Sequence, residues 1–222
     1  MKKIYWDAGH GGSDPGAVGN GLREADLAIK VVNYAYAHIE NNYVCEQYKD
    51  VSADSLSVII ARANKLGVDL FASEHLNAFK PEVGDGYEAL VYSSENDDLG
   101  EVFEKHVTAV GQNSRGIKYR PDLAVLRDTN MKAILNEIAF IDTKNDIKDW
   151  DEDHELKIMG EALAEAAAEY LQLPKKVKEP VKPAAPTGKL YRVQVGAFAQ
   201  KANAEAMVEK LKKAGFEAFI TQ

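Results

Sequence analysis

The chain has 222 residues, 45% of them hydrophobic and 28% charged, with 16 Gly and 7 Pro. That composition excludes collagen-like, coiled-coil and wholly disordered classes and leaves room for one full domain plus a smaller unit. The net charge of −8 is unevenly spread: residues 1–173 carry 17 Lys and Arg against 31 Asp and Glu, and residues 174–222 carry 10 against 4. An acidic body argues against nucleic acid as its partner, and the basic tail suits an anionic surface.

Met1-Lys2-Lys3 imitates the charged end of an export signal, but Asp7 and His10 arrive before any apolar run of the required length. No later segment approaches the roughly 20 apolar residues of a membrane span. The expectation is a chain without signal peptide or membrane span. Cys45, the single cysteine, has no intrachain disulfide partner and reads as a small core residue.

Ile4–Ala8 reads as a short buried strand, and Gly9-His10-Gly11-Gly12-Ser13-Asp14-Pro15-Gly16 as an irregular loop. Leu27, Val31, Tyr34, Ala35 and His38 recur at helical spacing within a helix from Glu24 to about Ile39. Val44–Tyr48 is a predicted strand, Ser55–Leu66 a helix, Val68–Ser73 a buried strand and Gly86–Tyr92 another. Leu99–Val110 follows as a helix, Ala133–Phe140 as an apolar strand, and Glu155–Leu171 as a long amphipathic helix. The alternation predicts an α/β domain over residues 1–173, a mainly parallel twisted sheet flanked by helices. Residues 174–188, with four of the seven prolines and several lysines, read as a semi-rigid linker. Residues 189–222 form a small β-α-β unit: strand Leu190–Val195, helix Ala202–Ala214, strand Phe216–Ile220.

Functional groups of parallel sheets gather where the strands end. His10 and His75 each fall just past a predicted strand, and Glu24 opens the first helix. Brought together they would make a two-His, one-carboxylate set suited to Zn²⁺ with an open fourth position. The intervals between them form no local metal motif, so an ordinary reading stands beside this one: hydrogen-bonded histidines, and a carboxylate complementing the helix dipole. Glu137 lies in the apolar run Ile134–Phe140, where a carboxylate costs desolvation energy unless paired or used. It is a general base beside a metal-activated water, or it faces solvent. His38, His106 and His154 fall on helices without partners at ligand spacing. The glycine-rich loop lacks the endings of phosphate-binding and dinucleotide-binding loops.

Four segments carry a resemblance. Asp7-Ala8-Gly9-His10-Gly11-Gly12-Ser13-Asp14-Pro15-Gly16-Ala17, Arg62-Ala63-Asn64, Ser73-Glu74-His75-Leu76-Asn77-Ala78 and Glu137-Ile138-Ala139-Phe140-Ile141 resemble, in order, the motifs of zinc-dependent N-acetylmuramoyl-L-alanine amidases with the type 3 catalytic domain. The resemblance runs from about Lys3 to Leu171. It implies Zn²⁺ held by His10, Glu24 and His75, catalysis by Glu137, and cleavage of the amide joining N-acetylmuramic acid to L-alanine in bacterial peptidoglycan. Asn77 is expected at the site mouth and Arg62 in a structural role. Glu74, Lys132, Asn136 and Ala139 depart from the family pattern, and Glu74 is expected to face outward because neighbouring strand residues point to opposite faces.

The last unit, from Tyr191-Arg192-Val193-Gln194-Val195-Gly196-Ala197-Phe198 to Phe216–Ile220, resembles the first half of a SPOR repeat, a family that binds peptidoglycan glycan strands. At 34 residues it falls below the size at which isolated domains hold together unaided. It therefore either pairs with a second copy as a homodimer through two half-repeats, docks on its own catalytic domain, or stays partly unfolded until it meets the wall. The alternatives are a zinc peptidase acting on the stem peptides and a non-catalytic wall-binding protein. Without a signal peptide, the protein is expected in a phage host or mother-cell cytoplasm, reaching the wall after release, as a phage endolysin or sporulation autolysin would.

Overall fold

The computed structural model describes residues 1–52, 54–148, 150, 153–177 and 194–220. It divides into two compact units, Met1–Val177 and Lys178–Gln222.

The first unit runs β1 (Lys3–Ala8), a two-strand hairpin β2 (Val18–Gly19) and β3 (Leu22–Arg23), α1 (Glu24–Asn42), β4 (Glu46–Asp50), α2 (Leu56–Leu66) and β5 (Leu70–Asn77). It continues with β6 (Tyr87–Val91), α3 (Asp97–Ala109), β7 (Ser114–Tyr119), α4 (Ala124–Arg127), β8 (Lys132–Phe140) and α5 (Asp153–Leu171). The six long strands form one sheet in the order β4-β1-β5-β8-β6-β7. The first four are mutually parallel, while β6 pairs antiparallel with β8 and parallel with β7.

Alternation along the strands sorts the core into two layers. Ile4, Trp6, Leu70, Ala72 and Ile134 face α1, α3 and α5, packing against Val31, Phe103 and Leu163. Tyr5, Phe71 and Leu135 face α2 and α4, packing against Ile59, Ala63 and Val125. Helices on both faces explain why the central strands read as unbroken apolar runs.

Several elements differ from the sequence expectation. β5 extends to Asn77, so His75 lies within a strand, and β4 begins two residues later than expected. β7, with exposed Ser114, Arg115, Lys118 and Tyr119, has no apolar alternation to reveal it because it is an edge strand. Cys45 is half-buried at the rim of the core, its thiol pushed up to about 11 by burial.

Glu74 corrects an expectation. It does point away from His75, but that face is covered by helices, so it is fully buried. Asn136 Nδ2 donates to Glu74 Oε1 at 3.2 Å, and the Tyr87 hydroxyl donates to Asn136 Oδ1 at 2.6 Å. Burial pushes the Glu74 carboxyl up to about 8.

In the second unit, α6 (Lys201–Lys213) is the helix expected near Ala202–Ala214. The expected strand Phe216–Ile220 has no ladder partner among the described residues. Most of the other expected strand, Leu190–Val195, lies outside the described residues, as does most of the linker expected at 174–188.

Candidate active site

The parallel order β1-β5-β8 brings three strand ends to one edge. Gly9 extends β1 by one bond, its N–H donating to the Glu74 carbonyl at 2.9 Å. The chain then turns at His10, which adopts a left-handed conformation (φ 63°). Asp14 ties the turn: its Oδ2 lies 2.9 Å from His10 Nδ1 and its Oδ1 accepts the Gly16 N–H at 3.0 Å. The His10 ring, then the Gly16 N–H, hold the Asp14 carboxyl below its ordinary range.

Glu24, first residue of α1, is almost wholly buried between the two histidines. Its Oε1 lies 2.8 Å from His75 Nδ1, its Oε2 3.2 Å from His10 Nε2. The same oxygens accept the Leu76 and Ala17 N–H groups at 3.1 and 2.7 Å. Burial alone would raise this carboxyl, but the His75 ring and the two N–H groups outweigh it, and Glu24 is held below the ordinary value. The imidazoles of His10 and His75 stand edge to face, centroids 5.1 Å apart. One donor atom from each of His10, Glu24 and His75 lies within 4.8 Å of the others. Two imidazoles and a buried, ionised carboxylate at that spacing fit zinc.

Two glycines permit the approach. A Cβ at Gly9 would lie 2.3 Å from His75 Cε1, and one at Gly16 (φ 64°) would strike both the Glu24 carboxylate and the His10 ring.

Glu137 stands directly opposite His75 in the β5–β8 register. Its Oε2 is buried without a hydrogen-bond partner among the described residues. Burial pushes its carboxyl up to about 7; the His75 ring pulls the other way, and Glu24 and Glu88 add to the rise. Asp7 lies buried nearby, accepting from Ser73 Oγ at 2.6 Å, its carboxyl raised by burial. From His10 and His75 a groove of about 390 Å³ leads between Leu56, Ile59, Leu123 and Val125.

Asn77 shares the site face with His75 but donates to Glu88 Oε2 at 3.2 Å. Arg62 pairs with Asp50 and Asp54 and approaches the Tyr5 hydroxyl at 3.4 Å, tying α2 to β1 and β4. His38 and His106 pair with Glu165 and Glu169 of α5, and His154 is exposed.

The N-acetylmuramoyl-L-alanine amidase family model matches residues 4–169. The chain belongs to the N-acetylmuramoyl-L-alanine amidase family. The SPOR domain model matches residues 162–222. An endolysin of Bacillus phage SPP1 is 35% identical over 189 residues, covering 79% of this chain and 69% of that protein. The sporulation-specific N-acetylmuramoyl-L-alanine amidase of Bacillus subtilis is 32% identical over 239 aligned positions, covering 99% of this chain and 84% of its own. The catalytic domain of CwlV from Paenibacillus polymyxa shares the fold, with a TM-score of 0.73 at 24% identity over 78% of this chain and all of that one. An amidase of Nostoc punctiforme superposes with a TM-score of 0.72 at 26% identity, covering 77% of this chain and 97% of that one.

In this amidase two residues at the site escaped the sequence reading. Glu88 sits across from Glu137, and Arg115 Nε donates to Glu88 Oε1 at 2.8 Å. Glu88 falls in an otherwise apolar strand, the same signal that marked Glu137; Arg115 on the unrecognised β7 had none. Of the other departures from the family pattern, Lys132 Nζ donates to Asn96 Oδ1 at 2.8 Å at the far end of β8, and Ala139 is buried.

Proposed function

We propose that His10, Glu24 and His75 hold a zinc ion, and that Glu137 transfers the proton as the N-acetylmuramoyl-L-alanine amide of peptidoglycan is hydrolysed. The observation that carries this reading is the Glu137 carboxylate: buried, unbonded at Oε2 among the described residues, and opposite His75. When bound, zinc would acidify an attacking water and polarise the substrate carbonyl. Glu137, pushed up to about 7, is matched to take the proton of that water at neutral pH and return it to the departing alanine nitrogen. Glu24, its carboxyl held below the ordinary value, would supply one negative charge toward the zinc dication.

The SPOR match supports wall binding by the tail. Within the described part of that unit α6 buries no residue, and Phe216 and Phe219 are exposed. A second copy of the tail is the proposed cover, giving a homodimer that sedimentation of the full chain would detect. No described helix is long and apolar enough to cross a membrane. Relatives named as a phage endolysin and a sporulation-specific amidase support action on the wall after release from a host or mother-cell cytoplasm.

The test is digestion of purified peptidoglycan by zinc-loaded protein, with the new terminus identified by mass spectrometry. A freed L-alanine amino terminus supports the amidase; a terminus within the stem supports a peptidase.

A further inference from the structure

Arg115 takes no part in the proton transfer, yet it is built into the same edge. Tyr87 pairs with Ser114 and Ala89 with Ile117, so Arg115 and Gly116 together face Glu88 alone. A bulge of this kind re-aims a side chain. Arg115 Nε donates to Glu88 Oε1 at 2.8 Å, Nη1 reaches the Asp85 carbonyl at 3.4 Å, and Cζ lies 5.0 Å from the Phe140 ring centre. Asn77 holds the other Glu88 oxygen. The Arg115 side chain is still 38% exposed, and Nη2 has no partner among the described residues.

A guanidinium fixed on three sides with a donor left over is suited to a carboxylate. Glu88 stands opposite Glu137, so Arg115 lies two strands from Glu137, roughly 9–10 Å by strand spacing. On the other side of His75, the groove lining holds Asp7, Asp14 and Asp54 but no lysine or arginine among the described residues, whereas Arg115, beside Glu88 and Asp85, keeps one donor unused. A peptide stem whose carboxylate needs a cationic donor therefore runs toward Arg115. Its second residue, a glutamate joined through its γ-carboxyl, presents an α-carboxyl that is free or amidated. Two extended residues span at most about 7 Å, and the arginine side chain covers the remainder.

We propose that Arg115 receives the α-carboxylate of the second stem residue and makes the enzyme prefer the free acid to its amide. This deepens the amidase reading and rests on it. Cleavage of N-acetylmuramoyl-L-alanyl-γ-D-glutamate and of its α-amide would be compared, together with an α-amidated substrate extended by a third residue bearing a free carboxylate. The wild type is expected to favour the free acid in kcat/KM by about tenfold or more, the scale of one charge-assisted hydrogen bond. Arg115→Gln should bring that ratio close to one, and Arg115→Lys should keep part of it. Thermal melting and zinc content establish that each variant is folded, and the lysine variant carries the test should the glutamine variant misfold.

A wild-type ratio near one, or a ratio unchanged in the folded variant, would overturn the proposal. So would an equal slowing on both substrates, which would make Arg115 a support for Glu88. A third-residue carboxylate that restores the rate would assign Arg115 to a different stem carboxylate and reject this one. Failure of the underlying amidase reading looks different: no substrate is cut at the alanine amide, whatever the residue at position 115.

Discussion

Gly9 and His75 lie so close that no side-chain carbon fits between them: a Cβ at Gly9 would come within 2.3 Å of the imidazole. The backbone of Gly9 lies outside the left-handed region, so alanine there is opposed by the ring alone. Gly9→Ala is expected to displace His75 and lose most bound zinc, lowering lytic activity by about 100-fold, the scale of an ångström-sized misplacement. Metal analysis beside a wall-lysis assay checks it; full zinc content with full activity would show that the ring can move without consequence.

Glu137→Gln keeps the shape of the carboxyl and removes its proton-accepting capacity. Zinc content should remain at one per chain while activity falls by about 10²–10⁴-fold. A loss below about tenfold would move the proton transfer to another group.

Asp50 accepts from the Tyr5 hydroxyl at 2.9 Å and from Ser52, and pairs with Arg62, while itself nearly fully buried. Asp50→Ala leaves the buried Tyr5 hydroxyl without its acceptor, a cost of about 2 kcal/mol, while Arg62 keeps Asp54. Tm should fall by roughly 4–8 °C, at 2–4 °C per kcal/mol for a chain of this size. Tyr5→Phe should cost only about 1 kcal/mol. The two losses should add to more than that of the double variant, because they share one bond.

Glu165 gives a pH dependence of defined sign. Burial would raise its carboxyl, but the Tyr43 hydroxyl at 2.7 Å and the His38 ring at 2.6 Å hold it below its ordinary 4.5. A lowered carboxyl stabilises the fold above the unfolded-state value and loses that contribution as pH falls through the folded-state value. The stability gap between wild type and Glu165→Gln should thus be present at pH 7 and narrow below about pH 4.5, remaining under about 1 kcal/mol because the pair is partly exposed. Urea melts at the two pH values measure it; a gap that widens with acid would reverse the assignment.

The strands that carry the site were legible because they are central and buried on both faces, so Ile4–Ala8 and Ala133–Phe140 stood out as apolar runs. Glu137 was legible as a charge inside such a run. His10, Glu24 and His75 were not legible as a set from their spacing, since the parallel crossovers that unite them are long-range; the family resemblance supplied that link. Arg115 was hidden because an edge strand has neither apolar alternation nor fixed pairing to announce it. Glu74 shows the opposite failure: alternation gave its direction correctly, while the helices covering that face lie far away in sequence.

The most direct measurement is the identity of the terminus freed from purified peptidoglycan by zinc-loaded wild type and by Glu137→Gln. The expected result is new L-alanine amino termini from the wild type, abolished by a chelator, restored by zinc, and reduced at least about 100-fold in the variant. Alanine termini released at the full rate by metal-free protein, or at an undiminished rate by Glu137→Gln, would contradict the assignment of the site.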